Sequence, residues 1–314
     1  MLKKLNLGNV RLNYFMMTLL VFLCAFEYIL AKPILETVPS LTVIWIKYLF
    51  AFAILVCVKC VRDRRFPFRA KDIPLFLLSA VLGEMLYYFG GFEAMGYMPI
   101  ALVTVVIALS PVLSIAFERV AYRKKVRPPA VAGILVSLFG ICLVAGVEPA
   151  MVASGRIWGY LLAFLSVVCA NANNLVVIKL ASRYGSYDLT MYVLGAVALV
   201  STPFAIGQMP PAGAIDASFI GSMIYFVFAI GCFGVFAYIN SLRVLGPTTS
   251  LLFSNLVPVV SCYFGWLCLG ETILPLQLAG GAVTLAGCAV VIWVRGQAGM
   301  YSGRQGGAPT SSKK

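Results

Sequence analysis

The sequence predicts an all-α polytopic membrane protein: ten transmembrane helices built as two inverted five-helix repeats, with the N-terminus and C-terminus both cytoplasmic. Three observations carry that prediction. Of the 314 residues, 61% are hydrophobic and 11% charged, where a soluble domain carries about 25% charged and about 45–50% apolar residues. The apolar residues fall into ten runs, each close to the roughly 20 residues that cross a hydrocarbon core about 30 Å thick. The chain also matches itself at a constant shift of 147 residues. With a mean hydropathy of +0.97, the chain lacks the polar groups to cover a water-soluble surface. That excludes an ordinary cytosolic enzyme, a disordered chain and a nucleic-acid-binding domain.

In chain order, the runs span about 12–31, 39–58, 73–92, 98–118, 128–147, 157–178, 187–206, 217–240, 246–269 and 275–294. The first follows Lys3, Lys4 and Arg11 and could be a cleaved leader, but it is long and has a counterpart later in the chain, so we read it as a retained span. Connections are short and carry turn residues: Lys32-Pro33, Arg127-Pro128-Pro129, Met209-Pro210-Pro211 and Leu245-Gly246-Pro247. No soluble domain fits between them. The organisation is a first repeat over 12–147, a second over 156–294, and a disordered cytoplasmic tail over 295–314, rich in Gly and Ser.

Basic residues collect in cytoplasmic loops, which orients the ten spans. One side holds 21 of the 24 Lys and Arg; the other holds only Lys32 and Arg156, and Lys47 lies within a span. The net charge of +13 therefore concerns orientation in a cell (inner or plasma) membrane, not a nucleic-acid partner. The absence of His removes His-based metal sites, triads and proton relays. Seven of nine Cys lie inside apolar runs as small buried hydrophobes. Cys57 and Cys60 form a lone C-x-x-C without a second pair, so no metal and no cofactor is expected.

At the 147-residue shift, Leu109, Pro111, Val112, Ser114 and Phe117 match Leu256, Pro258, Val259, Ser261 and Phe264. Pro128, Ala132, Gly133, Val136, Leu138 and Gly140 match Pro275, Ala279, Gly280, Val283, Leu285 and Gly287, and Val144 and Val147 match Val291 and Val294. Apolar helices resemble one another by composition, but shared Pro and Gly at one shift are harder to obtain by chance. Five spans per copy make the second enter the membrane from the opposite side. Such inverted repeats are a signature of transporters, whose two halves exchange conformations.

The chain resembles the ten-span EamA-type members of the drug/metabolite transporter superfamily. The resemblance covers about 12–294 and rests on the doubled five-helix unit. It rests too on the ending Gly270-Glu271, Leu278, Gly280-Gly281 and Gly287, and on the polar or small segments before Lys32 and Lys179. It implies a carrier of amino acids, other metabolites or drugs. The first copy departs from the pattern with Arg123-Lys124 where the second has Gly270-Glu271, and Glu27 and Glu84 are not general features of the family.

Charged groups within a span cost about 2.5–3.5 kcal/mol on insertion scales, which makes each a functional candidate. Three stand out: Glu27, Lys47 and Glu84, the latter two near the midplane. Lys47 is a candidate to hold an anionic group of a substrate, and Glu84 or Glu27 to take up and release a proton. The competing reading is a static Lys47–Glu84 pair joining two helices. Their counterparts at the 147 shift are Asn174, Leu194 and Gly231, so all three charges belong to the first half. The second half offers Asn171 and Asn174 one turn apart, and Ser250 and Ser254 likewise, with Asn255 beside them. These form either a hydrogen-bonding wall for a zwitterion or sugar, or helix–helix glue. Tyr87 and Tyr88 share a face with Glu84, as pocket lining or ordinary packing. Pro111 and Pro258 fall deep within spans, where each removes a backbone hydrogen bond; they are candidate hinges or static bends, freeing the carbonyls of Ile107 and Ser254.

The expectation is a secondary transporter, an exporter of a small organic metabolite such as an amino acid, by alternating access with protons as candidate coupling ion. Its partners are that small molecule and the bilayer; the sequence leaves the oligomeric state open. The alternative within transport is a multidrug or nucleotide-sugar carrier. A membrane-embedded enzyme would need a nucleophile–base or metal constellation that the spans do not supply, and a non-transporting membrane protein would not need inverted repeats. There is no P-loop for ATP hydrolysis.

Overall fold

A computed structural model describes residues 7–35, 37–94, 96–97, 103, 106–122, 128–144, 157–210, 215–269 and 274–305. The described residues form helices and turns, with no strands. In order they are α1 (Val10–Leu35), α2 (Ser40–Arg62), α3 (Ala70–Ala94), α4 (Ser110–Tyr122), α5 (Pro128–Val144) and α6 (Ile157–Ala181). There follow α7 (Ser186–Ile206), α8 (Ala217–Val244), α9 (Pro247–Ser254), α10 (Val257–Leu269) and α11 (Pro275–Gln305). Six of them (α1, α2, α3, α6, α7 and α8) are long and apolar enough to cross a membrane. The remaining helices are shorter in their apolar parts, among them α5 (Pro128–Val144) and the first part of α11 (Pro275–Val291). Much of the predicted fourth span (98–102, 104–105) and Gly270-Glu271 of the ending motif lie outside the described residues. The chain is a multi-pass membrane protein. Phe15, Phe50, Phe139, Leu199 and Trp293 stand exposed on its flanks, as suits side chains facing lipid.

Two expectations change. The run 246–269 is not one helix: it breaks at Asn255-Leu256, between α9 and α10. Pro258 is the second residue of α10, and Pro111 the second residue of α4 after a break at Ala108-Leu109. At that position proline's locked φ and missing N–H are tolerated, so neither sits inside a kinked helix. The breaks agree bond for bond at the 147 shift. Leu109 N–H donates to Val106 O as Leu256 N–H does to Phe253 O, and Leu113 N–H to Leu109 O as Val260 N–H does to Leu256 O. The Ile107 carbonyl accepts the Ser110 hydroxyl at 2.7 Å, which explains how a broken ladder is satisfied away from water. The second change concerns the tail: α11 runs through Gln305. Residues 296–305 contain no proline to stop it; 306–314 lie outside the described residues.

A second pair of irregularities lies in α3 and α8. Within α3, Ala80–Met85 is wound as a π-helix, and within α8 so is Phe226–Gly234. A shift of 147 carries the first into the second. Such wide turns are rare and recur at functional sites.

The two halves interleave, for each helix packs most heavily on one from the other half. The largest contacts are α5 on α11, α3 on α6 with its counterpart α1 on α8, and α2 on α7. At the α5–α11 crossing four glycines, Gly133, Gly140, Gly280 and Gly287, face the backbone of the opposite helix. A methyl on Gly287 would lie 2.4 Å from Ser137 N and 2.6 Å from Gly133 O; one on Gly140 would lie 2.6 Å from Gly280 O. Small residues that let backbones touch are the usual basis of membrane helix association. Replacing Gly287 by Ala should therefore cost about 1–3 kcal/mol through overpacking, despite alanine's better helix propensity. Gly221 in α8 meets nothing within 4 Å, so Gly221→Ala should gain up to about 1 kcal/mol. Thermal unfolding in detergent checks the pair: Tm falls in the first variant and rises in the second.

At one end of the bundle, helix termini from both halves are tied by charge. Lys59 Nζ stands 2.5 Å from Asp188 Oδ1 and 3.3 Å from Asp63 Oδ2, and Arg183 pairs with Asp72. Tyr184 OH donates to Asp72 Oδ2 at 2.9 Å, and burial pushes that phenol above its ordinary range. Asn240 Nδ2 reaches Asn13 Oδ1 at 2.8 Å, and Arg243 reaches Ser186 Oγ at 3.0 Å. The opposite end is held by neutral donors, Thr42 to Gln208 O and Trp45 to Thr202, and by Ser40 to Glu93.

Candidate functional site

Between the halves lies a cavity of about 140 Å³. All four helix irregularities contribute to its wall. Gly83 and Glu84 come from the first π-segment and Ile230 and Gly234 from the second; Ile107 and Ser110 flank one break, Ser254 and Val257 the other. Most of the remaining wall is apolar or aromatic, including Leu20, Val21, Leu251, Phe253, Tyr87, Tyr88 and Tyr238. The polar groups are few: the Glu84 carboxylate, the amides of Asn173 and Asn174, and the hydroxyls. An apolar pocket with a few convergent polar groups is the usual form of a small-molecule site.

Glu84 is placed by its neighbours. Tyr48 of α2, fully buried, donates its hydroxyl to Glu84 Oε2. Lys47 does not pair with Glu84 as the static-pair reading held. Its Nζ lies 3.1 Å from Glu27 Oε1, both residues being buried. The ammonium also sits 4.1 Å from the Tyr88 ring centroid and 4.6 Å from that of Tyr48, where the ring faces attract it. Neither Glu27 nor Lys47 lines the cavity; Tyr88 does, with the ammonium against its ring. Glu27 and Lys47 pair with each other, and among the described residues no cationic group stands within salt-bridge distance of the Glu84 carboxylate.

The second half brings only part of its expected polar set to the cavity. Asn174 and Ser254 reach the cavity wall; Asn171, Ser250 and Asn255 do not. Asn171 Nδ2 bonds back to Val167 O at 2.9 Å. Ser250 accepts from Ser241 at 2.8 Å, tying α9 to α8, and Asn255 Nδ2 reaches Ser137 Oγ on α5 at 3.4 Å. Ser250 and Asn255 join helices, while Asn171 bonds within its own helix. Asn173, Gly83 and Tyr238 escaped the sequence reading. The signal for Asn173 was present, since Ala170, Asn173, Asn174 and Val177 keep the i, i+3, i+4, i+7 spacing of one helix face. Among the described residues no group of three or more His, Cys, Asp or Glu is placed to hold a metal ion.

The sequence profile of the EamA-like transporter family matches residues 11–146 and again 157–293. An "Uncharacterized transporter" of Archaeoglobus fulgidus is 26% identical over 71% of this chain and 78% of its own length. A "Probable terminal-alkyne amino-acid exporter" of Streptantibioticus cattleyicolor is 22% identical over 71% of this chain and 74% of its own. "Pseudopaline exporter CntI" of Pseudomonas aeruginosa is 22% identical over 82% and 88%. A crystal structure 18% identical to this chain superposes with a TM-score of 0.73, covering 90% of this chain and 96% of the other, which establishes a shared fold.

Proposed function

The chain belongs to the EamA-like transporter family, and from that premise we propose that it is a secondary exporter of a small amino-acid-like metabolite, working by alternating access with protons as coupling ion. The observation that carries this reading is Glu84: a carboxylate on the wall of a cavity between the halves, beside a Glu27–Lys47 pair already neutral by itself. One positive charge, a substrate ammonium or a proton, completes that charge balance. Two ligands sharing one carboxylate exchange for each other, which is the requirement for proton-driven export.

The same proposal takes ten spans in two inverted repeats, with cytoplasmic termini. The paired breaks and π-segments at the 147 shift support the repeat. The charged end of the bundle supports the orientation, because it gathers the residues around 59–72, 183–188 and 240–243, which the charge count assigns to one side. The wall's apolar surface, with only a few hydrogen-bonding groups, favours an amino acid over the alternative nucleotide sugar, whose phosphates would need cations there. Purified protein in liposomes tests the reading. An inwardly directed proton gradient should drive counterflow of apolar amino acids, and dissipating it should stop that flux. Flux indifferent to the gradient sinks the coupling; no flux of any amino acid, drug or other metabolite in a panel sinks the transporter.

A further inference from the structure

We propose that Asn173 is the group that recognises the substrate's acceptor end, held for that task by Ser79 and given room by Gly83; this rests on the cavity's being the substrate site. The Asn173 side chain is buried and lines the same cavity as Glu84. Ser79 Oγ donates to Asn173 Oδ1 at 2.7 Å, which fixes the amide so that its oxygen is engaged and its NH2 faces away from Ser79. No acceptor among the described residues takes a hydrogen bond from that NH2. It occupies space that a side chain at position 83 would fill: a Cβ on Gly83 would stand 1.9 Å from Asn173 Nδ2 and 2.5 Å from its Cγ. Gly83 is also one residue from Glu84, within the same π-segment.

A second amide stands beside it. Tyr238 OH donates to Asn174 Oδ1 at 3.0 Å, and Asn174 Nδ2 is buried without a hydrogen-bond partner among the described residues. Both Asn173 and Asn174 line the cavity. Two oriented amide groups whose oxygens are engaged and whose NH2 groups lack acceptors form one kind of surface, a donor surface. Buried polar groups are hydrogen-bonded as a rule, so its complement is an acceptor from the ligand, a carboxylate or a carbonyl. With the Glu84 carboxylate on the wall of the same cavity, the site offers both a negative group and donors. A molecule carrying an ammonium and a carboxylate on the same carbon, with an apolar side chain for the remaining wall, meets each group. An organic cation without a carboxylate leaves the amides unpaired, a cost that lets a polar site discriminate far better than an apolar one.

The test compares apolar L-amino acids (alanine, valine, leucine, methionine, phenylalanine) with their decarboxylated amines, in binding and in liposome flux. Wild type should prefer the amino acids, and Asn173→Ala should weaken them roughly tenfold or more while leaving the amines unchanged. Asn173→Asp, of the same size, should reverse the preference by repelling the carboxylate and attracting the amine. Gly83→Ala should reproduce Asn173→Ala, since the displaced atoms are the end of a flexible side chain, and should add nothing in the Asn173→Ala background. Equal weakening of acids and amines, no effect of Asn173→Ala, or additive effects of the two substitutions would overturn the assignment. So would a wild type that ignores the carboxylate. If amino acids move and Asn173 is indifferent, the exporter stands and this subsite falls. If only other metabolites move, the acceptor subsite and the amino-acid reading fall while transport remains; if nothing moves, the proposed function fails as well.

Discussion

Glu84→Gln is expected to reduce proton-driven flux to the level of empty liposomes while the protein still folds and inserts. The substitution keeps the shape and the capacity to accept from Tyr48, whose hydroxyl reaches Oε2, and removes only the charge. A glutamine cannot cycle between protonated and ionised forms, so nothing remains for a proton to exchange with. It also weakens the ammonium contact. A hydrogen bond to a charged group contributes about 1.5–3 kcal/mol, or roughly 10- to 150-fold in affinity. Two measurements separate the roles: binding affinity at fixed pH, which should fall by that factor, and flux against pH, which should become flat. A variant with a preserved pH profile would remove Glu84 from the coupling step. Because Glu27 is bound to Lys47, Glu27→Gln should behave differently and act on stability first.

Lys47→Met should be the most destabilising of the single charge changes. Lys47 and Glu27 are both buried, with Nζ and Oε1 3.1 Å apart, and two tyrosine rings surround the ammonium. Removing one partner of a buried pair leaves an uncompensated charge, at about 3–5 kcal/mol. Replacing both by neutral residues of similar size often costs nothing. The double variant Glu27→Gln/Lys47→Met should therefore recover most of the Tm lost in Lys47→Met, as measured by thermal unfolding in detergent. If the double variant is no better than the single one, the pair is not what Lys47 contributes. Should the double variant also transport with normal pH dependence, Lys47 and Glu27 are scaffold for Tyr48 and Tyr88 and take no direct part in the exchange.

The sequence revealed the class, the places where apolar runs start and stop, and the residues whose charge has no business in a membrane. The recurrence of Pro111 and Pro258 marked the neighbourhood of the two helix breaks, but as bends inside continuous spans, whereas the breaks fall two to three residues earlier. What it could not supply was rotation. Whether Lys47 meets Glu27 or Glu84 depends on the azimuths of α1, α2 and α3 about their own axes, and spacing along one helix says nothing of its phase relative to another. Asn171 missed the cavity that Asn174 reaches for the same reason: two residues one turn apart share a face, but packing chooses which face looks inward, and the chosen one carries Asn173 with Asn174. The π-segments were illegible because a slip from i−4 to i−5 is a property of the packed helix, with no residue type as its signal.

Those wide turns carry an arithmetic of their own. A π-turn is an α-helix that has absorbed a surplus residue, so Ala80–Met85 stores one position more than the regular ladder needs. Deleting a single residue there would mend the ladder and tighten the helix, yet it would swing everything beyond the deletion by about 100°. Tyr87, Tyr88 and Gly90 would turn with it, and the wall would lose its register with Glu84. The chain's length between 80 and 85 is thus set by the cavity and against the helix, and in α8 the same surplus is carried by a stretch that has no carboxylate at all. Insertions and deletions, more than substitutions, are the changes this region should tolerate least.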